Sequence, residues 1–338
     1  MNDFHQKSIH KKRNYQNLIM NAEMESNFNE MLIFNGENKV LKDSKGYSVA
    51  IGNFDGLHVG HLSVISLAQE HENGLKSGVL TFEPHPRQFF NKKEARFRLM
   101  NAETRISVLQ KLKLDALFQI PFNRALANLS PEDFVENILI KQLNIRHVVV
   151  GDNFRFGKNR AGSIDLLKKY ASEGKIELTI APPFKFGSQL VSSSLLREKL
   201  SMGLIRDVNK LLDRNYQILG IVEKGFQRGR TLGFPTINIQ MHDIMIPKYG
   251  VYAAFVDVLT GKHKGKYKGA ASIGSRPTYG NNDPNIEVFL FDFDKLLYGE
   301  KVSISLVDFV RSEIKFNTES DLVQQMKSDC DKVLKMLQ

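Results

Sequence analysis

The sequence predicts two domains of different class: an α/β domain built on a parallel sheet, then a small antiparallel β domain followed by a C-terminal helix. Three observations carry this. Strand-length apolar runs alternate with helical patterns from Tyr47 to Ala181, the order that builds parallel sheets. From Tyr216 onward, short β-like runs follow one another, separated by Gly, Pro and Asn. A chain of 338 residues is also long for one compact domain.

In the first part, the run Tyr47–Ile51 is a strand, followed by a glycine turn and a helical run through Leu62, Ile65, Leu67 and Ala68. Ser77–Phe82 is the next strand and ends in Glu83, Pro84, His85, Pro86. A helix over Glu103–Leu112 leads to a strand at Ala116–Ile120. Ser130, Pro131, Glu132 and Asp133 start a helix: an N-cap serine, proline at the first helical position and acids in the first turn. It runs to about Leu143 and feeds the strand His147–Val150; a helix at Leu166–Ala171 and a strand at Ile176–Ala181 follow. Ser193–Leu212 reads as a bridging helix, with the boundary near residue 213. Beyond it come β-like runs at Ile218–Val222, Tyr252–Val258, Ala270–Ile273, Ile286–Phe293 and Val302–Val310, a barrel or a sandwich. A last helix starts near Thr318, with Leu322, Met326, Val333 and Leu337 at helical spacing. Residues 1–28 are polar and read as a mobile extension, with Met20, Met24 and Met31 as alternative starts.

The charge balance is +10, but the basic residues are dispersed and the densest cluster, His10–Arg13, lies in that extension. The bias fits a small polyanion such as ATP at least as well as nucleic acid. One cysteine, Cys330, excludes a disulfide framework and a cysteine-cluster metal site, and a reducing cytoplasm is the expected setting. No apolar run approaches the ~18 residues of a membrane span.

Gly52–His61 reads GNFDGLHVGH. Gly52, Gly56 and Gly60 allow close backbone approach or positive φ, and a turn at a helix N-terminus offers unpaired N–H groups to an anion. With a helix starting near Leu57, His58 and His61 share one face of its first turn. A lone histidine is more often a surface or core residue, and a glycine turn between strand and helix is ordinary α/β architecture; both features within ten residues suit a phosphate. GDNFRFG (Gly151–Gly157) follows another strand, and VSSSLLR (Val191–Arg197) places three hydroxyls and a guanidinium at a helix start, although serines there are usually caps. GNFDGLHVGH, EPHP and GDNFRFG all follow strands, so they gather at one edge of a parallel sheet, where ligands bind.

In the second part, Gly220–Ile239 reads GIVEKGFQRGRTLGFPTINI. Thr236 and Asn238 are two apart in an extended segment and point to one side, offering hard oxygens to Mg²⁺; alternating Thr and Asn is equally a solvated strand face. Glu287 alternates with Phe289, Phe291 and Phe293, as either a rim residue or a base raised by desolvation.

Three motifs, GNFDGLHVGH, GDNFRFG and VSSSLLR (I-S-S-T-x-x-R with serine at Ser194), resemble the nucleotidyltransferase superfamily and within it the bacterial FAD synthetases. GRTLGFPTINI, then Pro247, Gly250, Val251 and Tyr252, IGSRPT (Ile273–Thr278), the Glu287 strand, Leu297–Gly299 and Arg311 with Lys315 and Phe316 resemble riboflavin kinase, with Ile237 where alanine is usual. The resemblance implies a Rossmann-like nucleotidyltransferase domain over 29–190, a bridging helix over 191–213 and a six-stranded kinase barrel with a flanking helix over 214–338. It implies ATP binding by Gly52, Phe54, Asp55, Gly56, His58, Gly60, His61, Asn153, Ser193, Ser194 and Arg197, with His58 and His61 catalytic through their hold on the phosphates. In the kinase it implies ATP or flavin binding by Gly225, Gly229, Arg230, Gly233, Pro235, Thr236, Asn238 and Arg311. Thr236 and Asn238 would hold Mg²⁺ and Glu287 would be the base. His85 is a weaker candidate for the first pocket or a structural residue.

The implied function is two-step flavin cofactor synthesis: riboflavin to FMN, then FMN to FAD, with ATP as co-substrate and riboflavin, FMN and FAD as substrates and products. The expected partners are these small molecules, with no nucleic acid and no membrane, in a monomer or weak homo-oligomer. Two other readings stand beside it: one active module only, or a flavin-binding regulator without turnover. A binder has no need of the Glu287 base.

Overall fold

The computed structural model describes residues 31–36, 45–71, 74–91, 96–225, 228–241, 243–275 and 284–338. The extension expected over 1–28, and Arg276, Pro277 and Thr278 of IGSRPT, lie outside them. The chain divides into two compact units, one from residues 1–54, 60–92 and 105–184, the other from 55–59, 93–104 and 185–338.

The first unit is a parallel six-stranded sheet in the order β1-β4-β3-β2-β5-β6: β1 Leu32–Phe34, β2 Tyr47–Ile51, β3 Lys76–Glu83, β4 Ala116–Pro121, β5 Ile145–Gly151 and β6 Glu177–Ala181. All five residues of β2 are buried. That is why the central strands read as continuous apolar runs rather than alternating ones: helices cover both faces of a parallel sheet. The connecting helices include α1 (Val59–Gln69), α2 (Ala102–Gln110), α3 (131–142) and α4 (Ile164–Ser172). Helix α3 opens as one α-turn, Pro131–Asp133, on the Ser130 N-cap and continues as a π-helix over Phe134–Gln142. Phe134, Val135 and Leu139 enter a core with Tyr47, Phe118 and Val148.

Helix α1 begins two residues later than the spacing predicts. Gly56 has φ +92° and Leu57 φ +45°, left-handed values that an α-helix cannot contain. His58 therefore precedes the helix and His61 lies inside it, so the two do not share the face of a first turn.

In the second unit, a two-stranded ribbon of β7 (Lys185–Phe186) and β8 (Gln189–Leu190) comes first, and Ser193–Leu212 is then two helices, α5 (Ser193–Ser201) and α6 (Ile205–Leu212), broken at Gly203 with φ +78°. A six-stranded antiparallel sheet follows in the order β10-β13-β12-β11-β14-β9: β9 Tyr216–Ile221, β10 Thr236–Gln240, β11 Gly250–Val258, β12 Gly265–Gly274, β13 Asn285–Leu290 and β14 Lys301–Ser312. The chain beyond β9 meets β10 at a Glu223–Asn238 bridge, where the Glu223 N–H donates to the Asn238 carbonyl at 2.8 Å. The edges thus meet, which selects the barrel over the sandwich. Its core holds Ile218, Ile237, Ile239, Tyr252, Val288 and Ile304, among others. Strand β13 stops at Leu290, before the expected Phe293, because Asp292 turns the chain at φ +55°. Helix α7 (Glu319–Met336) starts on the Thr318 N-cap and lays Val333 and Leu337 against Ala253.

Candidate functional sites

Strands β3, β2 and β5 lie side by side and parallel, so the segments that leave their carboxyl ends emerge on one edge of the first unit. After β2, the Gly52 N–H donates to Leu80 O at 3.1 Å, and Asn53 O accepts from Thr81 Oγ1 at 3.2 Å. The buried Phe54 ring meets His61 edge-on, centroids 5.3 Å apart. Gly52 faces that ring so closely that a β-carbon there would sit 3.2 Å from it. Asn153, beyond β5, is exposed. His85 is buried, and its Nδ1 accepts from the Arg87 N–H at 3.1 Å to cap the short helix Pro86–Phe90; the structure gives it a structural task.

The next five residues of the motif, Asp55–Val59, belong to the second unit. Asp55 is buried; its carboxylate accepts the Leu99 N–H at 2.8 Å and pairs with Arg197 Nη2 at 2.5 Å. Burial pushes the Asp55 carboxyl up, against the pull of Arg197 and the Leu99 N–H. Arg197 also donates through Nε to Phe97 O at 2.7 Å, and Ser193 Oγ donates to Asp55 O at 2.8 Å. Asp55, Ser193 and Arg197, read from segments far apart in sequence, are thus one cluster. Of the three serines, Ser192 caps α5 through the Leu195 N–H, and Ser194 is exposed.

Sequence reasoning missed Arg214. It is partly exposed, with its Nε shielded from solvent, and donates from Nη2 to Gly56 O at 2.6 Å, and from Nη1 to Leu57 O at 2.8 Å and Leu212 O at 3.1 Å. A lone arginine joined to carbonyls 158 residues away leaves no local pattern. Burial, with Arg214 and then Arg197 beside it, holds His58 down at about 4, so its imidazole is neutral at pH 7.

The second cluster lies on β10 and β13. Their antiparallel register sets Asn238 opposite Glu287 and Thr236 opposite Phe289. Thr236 Oγ1 lies 3.4 Å from Glu287 Oε2; Asn285 Nδ2 donates to Glu287 Oε1 at 3.2 Å and approaches Asn238 Oδ1 at 3.5 Å. Asn285 was also missed in the sequence, although it precedes Glu287 by two and so shares its side of the strand. A β-carbon on Gly225 would overlap the Asn238 carboxamide, and one on Gly229 would overlap the Phe234 carbonyl. These glycines are needed for close approach, and Gly233, at φ +86°, for its turn. Arg230, Pro235 and Thr236 line one small cleft with Val222, Leu297 and Tyr298. Ile237, the departure from the usual alanine, is in the barrel core. Arg311 pairs with Asp329 of α7, Nε at 2.9 and Nη2 at 2.7 Å from the same carboxylate oxygen.

The donor set tests what metal would fit. Among the described residues no three or more of His, Cys, Asp and Glu cluster as metal ligands. The neutral oxygens of Thr236 and Asn238 suit a magnesium ion that keeps most of its waters and binds phosphate.

Residues 40–195 match the family described as FAD synthetase, and residues 212–337 match riboflavin kinase. A bifunctional riboflavin kinase/FMN adenylyltransferase of Buchnera aphidicola is 34% identical over 90% of this chain and 98% of its own length. One from Listeria monocytogenes is 37% identical over 83% of this chain and 89% of its own. A solved Streptococcus pneumoniae structure titled macrolide-efflux protein superposes with a TM-score of 0.76 at 28% identity, covering 89% of this chain and 98% of that one.

Proposed function

Because the chain belongs to the bifunctional riboflavin kinase/FMN adenylyltransferase family, we propose that it makes FAD from riboflavin and two ATP in two steps at separate sites. The observation that carries the kinase step is the Thr236–Asn238–Glu287 cluster, reached from two adjacent strands.

In the kinase step Glu287 takes the proton from the ribityl 5′-hydroxyl as its oxygen attacks the γ-phosphorus of ATP; the bond to the β-phosphate oxygen breaks and ADP leaves. Thr236 and Asn238 would hold Mg²⁺, which neutralises phosphate charge when bound. Asn285 orients the Glu287 carboxylate. Gly225, Gly229 and Gly233 bring backbone close to the phosphates, with Arg230 and Pro235 at the adjoining cleft. Arg311 serves this site through its hold on α7.

In the adenylyl step an FMN phosphate oxygen attacks the α-phosphorus of ATP and pyrophosphate leaves, without a covalent enzyme intermediate. Such transfer needs alignment and charge stabilisation more than covalent help. His58 and His61 hold the phosphates, a neutral His58 doing so by N–H donation. Gly52, Phe54, Asp55, Gly56 and Gly60 shape the turn. Asn153, Ser193, Ser194 and Arg197 complete the nucleotide contacts, with Arg197 anchored through Asp55. Residues 29–190 carry adenylyl transfer and 214–338 phosphorylation, with 191–213 joining them in sequence. The enzyme works in the cytoplasm as a monomer or weak homo-oligomer. The macrolide-efflux title of the solved structure names a transport role; among the described residues no helix is long and apolar enough to cross a membrane.

Incubation with riboflavin and Mg²⁺-ATP, followed by chromatography of the flavins, should yield FMN and then FAD; absence of both ends the reading. Glu287→Ala should stop FMN formation while supplied FMN is still adenylylated, and His61→Ala should do the reverse. Loss of both activities in either variant would contradict two independent sites.

A further inference from the structure

The Asp55–His58 segment is held by side chains that follow it by well over a hundred residues. Ser193 fixes the Asp55 carbonyl, Arg197 the Asp55 carboxylate, and Arg214 the next two carbonyls, Gly56 and Leu57. Leu57 is the costly point. A leucine at φ +45° is held in a left-handed region that its β-carbon disfavours. Such a conformation persists where its surroundings over-determine it, and a guanidinium spanning two successive carbonyls does so here. Gly56 also packs so tightly that a β-carbon there would meet Leu99 at 2.8 Å.

We propose that Arg214 is a positioning residue for adenylyl transfer: by holding the Gly56 and Leu57 carbonyls it fixes the left-handed turn from which His58 is presented to the nucleotide. This rests on the reading of His58 as a phosphate-binding residue. Arg214 already spends both terminal nitrogens on backbone carbonyls, so it acts through the turn rather than on a phosphate itself. It stays protonated at pH 7, since burial lowers it only to about 10. Its charge also disfavours protonation of the neighbouring imidazole.

The test uses the full-length protein and measures both reactions in the same preparation. Arg214→Gln should lower kcat for FAD formation from supplied FMN by on the order of 10–100-fold, the usual penalty for a misplaced group. KM for FMN should change less, and riboflavin phosphorylation should stay within about twofold, which also reports an intact second unit. Arg214→Lys keeps the charge and can reach one of the two carbonyls, so it should recover part of the loss. FAD formation by Arg214→Gln within about twofold of the wild type overturns the proposal. Parallel loss of both activities in Arg214→Gln and Arg214→Lys overturns it too, because it makes the residue a folding anchor. A wild-type protein that forms FMN but no FAD would fail the functional reading itself, before any variant is compared.

Discussion

At the residue scale, the kinase cluster depends on atoms that are absent as much as on those present. Gly225 has no β-carbon where the Asn238 carboxamide passes, so Gly225→Ala must displace either the backbone or that carboxamide. Riboflavin phosphorylation should fall at least tenfold in Gly225→Ala, on the scale of a misplaced catalytic contact, with FMN adenylylation retained. Unchanged phosphorylation would show that Asn238 does not need its present place. The glycines stood out by their density, while alternation puts Thr236 and Asn238 on one side of their strand but fits a solvated face equally, so the resemblance to riboflavin kinase is what joined them with Glu287. Asn285 obeys the same alternation, but asparagine beside an acidic residue gives no chemical signal until the partner strand supplies Asn238.

At the scale of elements, α7 is fixed to the barrel, among the described residues, by a charged clasp and a small apolar patch. Asp329 is buried; it takes two donors of Arg311 and the Gln325 carboxamide. Removing one partner of such a pair strands the other charge. Asp329→Ala should therefore cost about 3 kcal/mol in urea denaturation; a loss below about 1 kcal/mol would make the clasp incidental. The helix itself was plain in the sequence, from the Thr318 cap and the spacing of its apolar residues. The clasp was not, because Arg311 reads equally well as a ligand residue. The starts of α1 and α6 were misjudged for one reason: left-handed residues at Leu57 and Gly203 interrupt patterns that remain apolar on both sides.

For the whole molecule, pH sets a limit through two buried histidines, His147 and His58. His147 of the first unit is held at about 4 by burial and by His71, with Glu177 opposing, and His58 of the second likewise lies at about 4. Ser48 Oγ donates to Ala68 O and so accepts from His147 Nδ1, leaving Nε2 to accept from Thr179, which fixes the neutral tautomer. An unfolded histidine titrates near 6.5. Between about 6.5 and 4 the unfolded chain therefore binds protons that the folded one does not, and stability falls by about 1.4 kcal/mol per pH unit for each histidine. Above that window the two states bind the same number of protons there and the contribution is flat. Thermal denaturation should show Tm dropping as pH falls from 6.5 to 4, less steeply in His147→Gln. An equal slope in wild type and variant would remove His147 from the account.

The sequence by itself determined the two fold classes and the order of the long strands and helices. Those rest on local periodicity, on caps and on residue types that carry their meaning with them. Tertiary structure decided what those residues hold on to: that Arg197 clasps Asp55, that Arg214 secures the turn before His58, and that the barrel closes at Glu223 and Asn238. These contacts join distant segments by hydrogen bonds to backbone carbonyls and by charge pairs. A carbonyl is the same at every position in the chain, so only its place in the fold says which one an arginine will find.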